Sequence, residues 1–237
     1  IAKLTRKMRE AERREQAALD YAKGVEEKRL ILEKRFEKTD SEYVKKFEQK
    51  FSEFTGLNDC ISTSSGSTAL ELAISLCDLR KKDEIIAPNL TFASPINSAI
   101  RSNSIVKLVD VDRDTMCINT NLLLDKITNN TKVIIVVNLY GYPVNIQEIR
   151  KNIPSHVKII EDCAESLGSF RNNKHSGYYS DFATFSFYGN KTITTGEGGM
   201  LFCSNNFKKR EAKILRDHGM NPKKRYWHDQ IGFNFRM

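Results

Sequence analysis

No apolar run in this chain approaches the length of a membrane-spanning helix, and no secretory-signal pattern stands at its start. The five cysteines, Cys60, Cys77, Cys117, Cys163 and Cys203, are scattered, without a CxxC pair or a metal-type cluster. That spacing argues against a metal centre and for buried thiols in a reducing cytoplasm. Residues 1–38 contain no proline and one glycine, Gly24, so nothing in them breaks a helix. No nucleic-acid motif accompanies the net charge of +8, and basic residues alternate with acidic ones throughout. Nucleic acid is therefore not expected as a partner. The runs Lys208-Lys209-Arg210 and Lys223-Lys224-Arg225 read as solvated helix faces, with attraction of an anionic nucleotide diphosphate as the sharper alternative.

The chain's 237 residues, 40% hydrophobic and 29% charged, suffice for one large domain with an appendage. Residues 1–38 read as a charged helical extension with many i,i+4 pairs but no clean heptad. Thr39 and Glu42 stand at capping-box distance and predict a new helix start, which opens a large domain over 39–237. Phe47, Phe51 and Phe54 then form a helical stripe expected to pack in the core, and Gly56 supplies the stop.

Apolar runs at 60–63, 84–87, 105–109, 133–137 and 157–160 predict buried strands, with helices over 69–79, to Arg101 and near 120–127. This alternation implies an α/β fold, a mainly parallel sheet covered by helices on both faces. In such sheets ligands bind beyond the carboxyl ends of the strands. The strand from Val157 ends there in Glu161-Asp162, and a strand over 183–187 leads into a glycine- and threonine-rich loop carrying Lys191. A last strand over 200–203 precedes a basic helix near 206–218.

An aspartate and a lysine at one sheet edge suit pyridoxal 5'-phosphate. The lysine amine condenses with an aldehyde, and the carboxylate keeps a pyridine nitrogen protonated so that the ring acts as an electron sink. Ser186 stands within reach as a phosphate donor. Ser64 to Thr68 opens a helix with small hydroxyl residues, which serves either as a phosphate seat or as simple capping. Spacing alone leaves open the commoner outcome, a surface lysine and an unrelated acid.

Seven segments carry a resemblance: SSGSTAL (64–70), PNLTFASPINSAI (88–100), VDVDRDT (109–115), NLYGYPVN (138–145), EDCAESLGS (161–169), SFYGNKTITTGEGGM (186–200) and RDHGM with YWHDQIGFNFRM (216–237). In this order and spacing the chain resembles the DegT-type sugar aminotransferases, fold-type I pyridoxal-phosphate enzymes acting on nucleotide-linked keto sugars. The resemblance implies catalytic roles for Lys191 and Asp162. It further implies cofactor contacts from Ser67, Thr68, Phe92, Asp162, Glu165, Ser186 and Lys191, and from Asn234 to the site of a second subunit, hence a homodimer. Glu165 stands where many members have glutamine; with GNKTITTGEGG it is similar to the perosamine-synthase-like branch. The substrates implied are GDP-4-keto-6-deoxymannose and L-glutamate, in the cytoplasm. The family continues past the position of Met237 into a smaller C-terminal domain, and the first residue is Ile1, so the chain reads as a fragment. Two alternatives stand beside amino transfer. Related sugar dehydratases place a histidine where Lys191 is, and a truncated domain can persist as a non-catalytic binding module.

Overall fold

The computed structural model describes residues 2–237, with only the backbone described for residues 2–7, 34 and 36–41. The chain divides into two compact units, 1–46 and 47–237. Helix α1 (Ala2–Thr55) accounts for the first unit and supplies the opening turns of the second. In the first unit its described side chains are mostly exposed, apolar ones such as Leu19, Ile31 and Leu32 among them, with local pairs such as Arg29 to Glu26 at 2.6 Å and to Glu33 at 3.3 Å. Each such pair contributes about 0.2–0.5 kcal/mol.

No helix starts at Thr39. The backbone is helical through 38–42, because an internal capping sequence without a breaker does not stop propagation. The cap expected from the Thr39 side chain lies outside the described residues. Gly56, at φ +72°, ends the helix as expected.

The second unit runs β1 (Ile61–Thr63), α2 (Gly66–Ser75), β2 (Glu84–Pro88), α3 (Ala93–Arg101), β3 (Ile105–Val109), α4 (Thr120–Lys126) and β4 (Thr131–Val137). It continues α5 (Ile146–Asn152), β5 (Lys158–Asp162), β6 (Phe170–Arg171), β7 (Lys174–His175), β8 (Phe182–Ser186), β9 (Gly199–Cys203) and α6 (Asn206–Arg216). Seven strands form one sheet in the order β1-β9-β8-β5-β4-β2-β3. The run from β3 to β8 is parallel, whereas β9 is antiparallel to both β8 and β1. With β9 reversed, β1 points the same way as β8. The carboxyl ends of β1, β4, β5 and β8 therefore share one edge, and α2 starts there.

Near-continuous apolar strands build the core: every side chain from Val133 to Val137 and from Ile159 to Ile160 is buried. Strand β3 departs from expectation. It is the sheet's edge, paired only to β2, and Ile105 and Leu108 are exposed. Period-two alternation divides β8: Ala183, Phe185 and Phe187 pack with Phe47 and Phe51, whereas Phe182 joins the larger cluster with α2. The phenylalanine stripe is thus core at Phe47 and Phe51 but not at Phe54, which is exposed. Around the same end of α1, Arg216 of α6 reaches Glu48 at 3.0 Å and the Ser62 carbonyl at 2.8 Å, tying α1, α6 and β1 together. Lys209 corrects the solvated-face reading of its basic run: it is buried and donates to the Asn58 carbonyl at 3.0 Å.

Candidate active site

Three strand ends and the start of α2 enclose a cavity of about 360 Å³. Alternation along β5 turns Asp162 into this cavity and Glu161 to the opposite face. Asp162 is 7% exposed, and its Oδ1 accepts from the Ala164 N–H at 3.0 Å. Burial pushes its carboxyl up to about 6, against the Ala164 N–H and the attraction of Lys191; nearby Glu165 adds to the rise. A cation placed against this carboxylate would reverse that shift.

Lys191 follows β8 in the connection to β9 and lines the same cavity. Its Nζ lies 3.5 Å from Glu165 Oε1. The other oxygen of Glu165 accepts from the Tyr140 N–H at 2.8 Å. Tyr140 presents that N–H from a left-handed backbone, φ +52°, with its own ring 82% exposed. Its contribution is therefore made by the backbone.

At the other wall, Ser65 caps α2 through a capping box with Thr68: Ser65 Oγ accepts from the Thr68 N–H at 3.1 Å, and Thr68 Oγ1 accepts from the Ser65 N–H at 3.0 Å. Thr68 is thereby committed to the cap and does not line the cavity. Ser67 does line it, hydrogen-bonded to Ser94. Ser186 faces α2 because it lies two residues beyond Thr184 on β8. Gly66 makes that approach feasible, since a Cβ there would lie 2.8 Å from the Ser186 Cβ. Gly199 is held more tightly: its added Cβ would lie 2.3 Å from the Ser65 carbonyl oxygen. The positive end of the α2 dipole faces the cavity beside the two serines, a seat for an anion.

Phe92 forms a third side, 74% exposed at the cavity rim. Six of the expected residues, Ser67, Phe92, Asp162, Glu165, Ser186 and Lys191, therefore line one cavity, and Thr68 and Asn234 do not. Asn234 is exposed, its Oδ1 3.3 Å from the Arg236 guanidinium, on a segment whose Phe235 carbonyl accepts from the Ser64 N–H at 2.9 Å. The cavity also includes Thr91, Ser94, Tyr188, Asn190 and Glu197. All five fall within the segments 88–100 and 186–200 that carry the resemblance, but none was singled out there. Thr91 Oγ1 is buried without a hydrogen-bond partner among the described residues. His228 is exposed and hydrogen-bonded to the His218 carbonyl through Nδ1 at 2.9 Å.

The donor set fits pyridoxal phosphate. A buried carboxylate awaits a ring cation, a lysine amine stands opposite, hydroxyls gather at a helix start for the phosphate, and an unsatisfied buried hydroxyl borders the space. No group of three or more potential metal ligands occurs among the described residues. No helix among them is long and apolar enough to cross a membrane.

Known proteins resemble this chain in sequence and in fold. The chain is 38% identical over 196 residues to the GDP-perosamine synthase of Escherichia coli O157:H7, covering 82% of this chain and 54% of that protein. It is 38% identical to the GDP-perosamine synthase of Caulobacter vibrioides, over 82% of this chain and 53% of that one. Among solved structures, E. coli GDP-4-keto-6-deoxy-D-mannose-3-dehydratase with bound hydrated PLP superposes with a TM-score of 0.78 at 32% identity, over 82% of this chain and 56% of that chain. The chain thus spans about half the length of the curated relatives it matches. The family profile extends over residues 9–237, and the chain belongs to the DegT/DnrJ/EryC1/StrS aminotransferase family.

Proposed function

We propose that this chain carries the cofactor-binding part of a pyridoxal-phosphate-dependent nucleotide-sugar aminotransferase. The observation that carries the reading is Asp162 and Lys191 lining one cavity beside the serine-rich start of α2. When bound, pyridoxal phosphate supplies an aldehyde for amine capture and a ring that accepts electrons from the substrate carbon. Asp162 would hold the ring nitrogen protonated, and its carboxylate, which burial otherwise disfavours, would be stabilised by that neighbouring cation. Ser67 and Ser186 would hold the phosphate at the α2 terminus, and Phe92 would pack against the ring. The Lys191 amine would serve as the general base and then the general acid for the proton at the donor carbon.

As acceptor we propose GDP-4-keto-6-deoxymannose, as donor L-glutamate and as product GDP-perosamine; the names of the relatives and the glutamate at 165 support this reading. We further place the reaction in the cytoplasm, in surface polysaccharide synthesis such as O-antigen. The active form is a homodimer in which Asn234, away from its own cavity, serves the cavity of a second copy. The lysine at 191 supports amino transfer over sugar dehydration, since a histidine stands there in related dehydratases.

The test is the visible absorption spectrum of the purified protein with pyridoxal phosphate, before and after L-glutamate. A visible band that forms and then bleaches with glutamate is expected. Formation without bleaching would refute amino transfer from glutamate, and no band would refute the cofactor site in this chain.

A further inference from the structure

Behind the wall that carries Glu165 lies an imidazole that the cavity does not contain. His175, on β7, is 2% exposed and boxed by the rings of Phe54, Phe170 and Phe185 at centroid distances of 6.2, 5.3 and 5.9 Å. Its Nδ1 stands 2.6 Å from the Ser176 carbonyl oxygen, and its Nε2 stands 2.9 Å from the Gly168 N–H. A carbonyl only accepts and an N–H only donates, so this geometry fixes the proton on Nδ1 and leaves Nε2 bare. A second proton would set N–H against N–H.

The Gly168 contact leads to the cavity in three steps. Gly168, at φ +86°, closes the turn that begins at Asp162 and contains Glu165. The next residue, Ser169, donates from Oγ to the Gly141 carbonyl at 2.7 Å. Gly141 adjoins Tyr140, whose N–H holds Glu165 in place opposite Lys191. A Cβ on Gly141 would lie 3.2 Å from the Glu165 carbonyl oxygen, so the two connections are in close contact.

We propose that His175 is a positioning residue for the candidate site: as the neutral Nδ1–H tautomer it pins Gly168, keeps Glu165 facing Lys191, and on protonation releases that wall. The inference deepens the cofactor-site reading and rests on it for its consequence, though not for its geometry. Burial holds the imidazole below its ordinary range, opposed by the Ser176 carbonyl. The ionisable groups bordering it are Glu161 of β5, Arg171 of β6, Lys174 of β7, Tyr178 and Tyr179. Each charged one is engaged elsewhere: Glu161 with Asn138, Arg171 with the Pro143 carbonyl, and Lys174 over the Tyr178 ring. None forms an ion pair with His175 among the described residues.

The test compares the wild-type chain with His175→Gln, whose amide oxygen can accept from Gly168 without titrating, and with His175→Leu, which cannot accept. Hydrogen-exchange protection of the Gly168 amide is measured without cofactor from about pH 8 to about pH 5, corrected for intrinsic exchange. Wild type should lose protection at least tenfold on acidification, His175→Gln should hold it, and His175→Leu should lack it throughout. Affinity for pyridoxal phosphate should fall more steeply with acid in wild type than in His175→Gln. Nitrogen NMR of the wild-type imidazole, which needs no variant, should show Nδ1 protonated and Nε2 bare at neutral pH. The opposite tautomer, pH-independent protection in wild type, or a parallel fall in His175→Gln would overturn the proposal. A wild-type chain that takes up no pyridoxal phosphate at about pH 8 would refute the cofactor site instead, with the Gly168 result still deciding the lock.

Discussion

Replacing Asp162 with asparagine should stabilise the cofactor-free protein above about pH 6 while removing its hold on pyridoxal phosphate. The carboxyl is buried and pushed from 3.8 to about 6, so folding raises its proton affinity. A group shifted upward contributes full stability below its unfolded value and loses it as pH rises through the folded one. Asp162 is therefore neutral and harmless near pH 3.8, and becomes a penalty as pH rises to about 6, constant beyond. At about 1.4 kcal/mol per pH unit, the interval from 3.8 to about 6 bounds that penalty at about 3 kcal/mol. Asparagine retains an acceptor for the Ala164 N–H, so the exchange removes charge with little change of contact. Urea unfolding of the cofactor-free proteins, followed by fluorescence of the single tryptophan, Trp227, reads the difference. We expect near equality at about pH 4 and an advantage of about 1–3 kcal/mol for Asp162→Asn at about pH 7.5. Dialysis should then show the variant losing pyridoxal phosphate that wild type keeps. Equal stability of the two proteins at both pH values would refute the argument that Asp162 is held charged against burial for the sake of a cation.

Lys191→Ala should eliminate the visible band with pyridoxal phosphate and all multiple-turnover amino transfer; appreciable turnover in that variant would sink the assignment. Gly199→Ala should destabilise the second unit by about 3 kcal/mol or more, read by urea unfolding, because the new methyl meets the Ser65 backbone rather than a side chain that can move. Ser67→Ala should weaken pyridoxal phosphate binding about tenfold, measured by absorbance titration, as loss of one hydrogen bond to a charged group predicts. The five free thiols should resist a thiol reagent until the protein unfolds, with partly exposed Cys77 reacting first; burial pushes Cys60, Cys77 and Cys203 up to about 12.

Strand positions were legible in the sequence because fully buried strands appear as unbroken apolar runs, and Val133 to Val137 is one. Lys191 and Asp162 were suggested by residue type at a strand's carboxyl edge, but spacing left a surface lysine and an unrelated acid open, and only the resemblance of the surrounding motifs singled them out. The role of Thr68 was not legible, since a hydroxyl at a helix start satisfies the cap or a ligand equally well, and only geometry shows which. Nor was β3 as an edge: pairing order depends on contacts across the sheet, not on its own five residues. Thr39 misled because a capping sequence marks a start only where the preceding residues are unable to stay helical. Ser94 and the Tyr140 N–H left no signal, one being an ordinary helix-opening residue and the other a backbone group.

Two adjacent carboxyls show how period-two geometry divides labour at this edge. Asp162 faces α2 and the cavity, where a cationic ligand can stabilise its charge. Glu161, one residue earlier, faces the opposite side, where Asn138 donates to it at 2.7 Å and also to Ser166 at 3.1 Å. Burial raises the Glu161 carboxyl, against the Asn138 amide. Ser166 and Ser176 bond each other on that side, and Ser176 adjoins His175. The turn from Asp162 to Phe170 is thus anchored from behind by Glu161, Asn138, Ser166 and His175 while its front presents Asp162 and Glu165. Such backing suits a site that positions a lysine amine, because misplacement by about 1 Å can cost about 100-fold in rate.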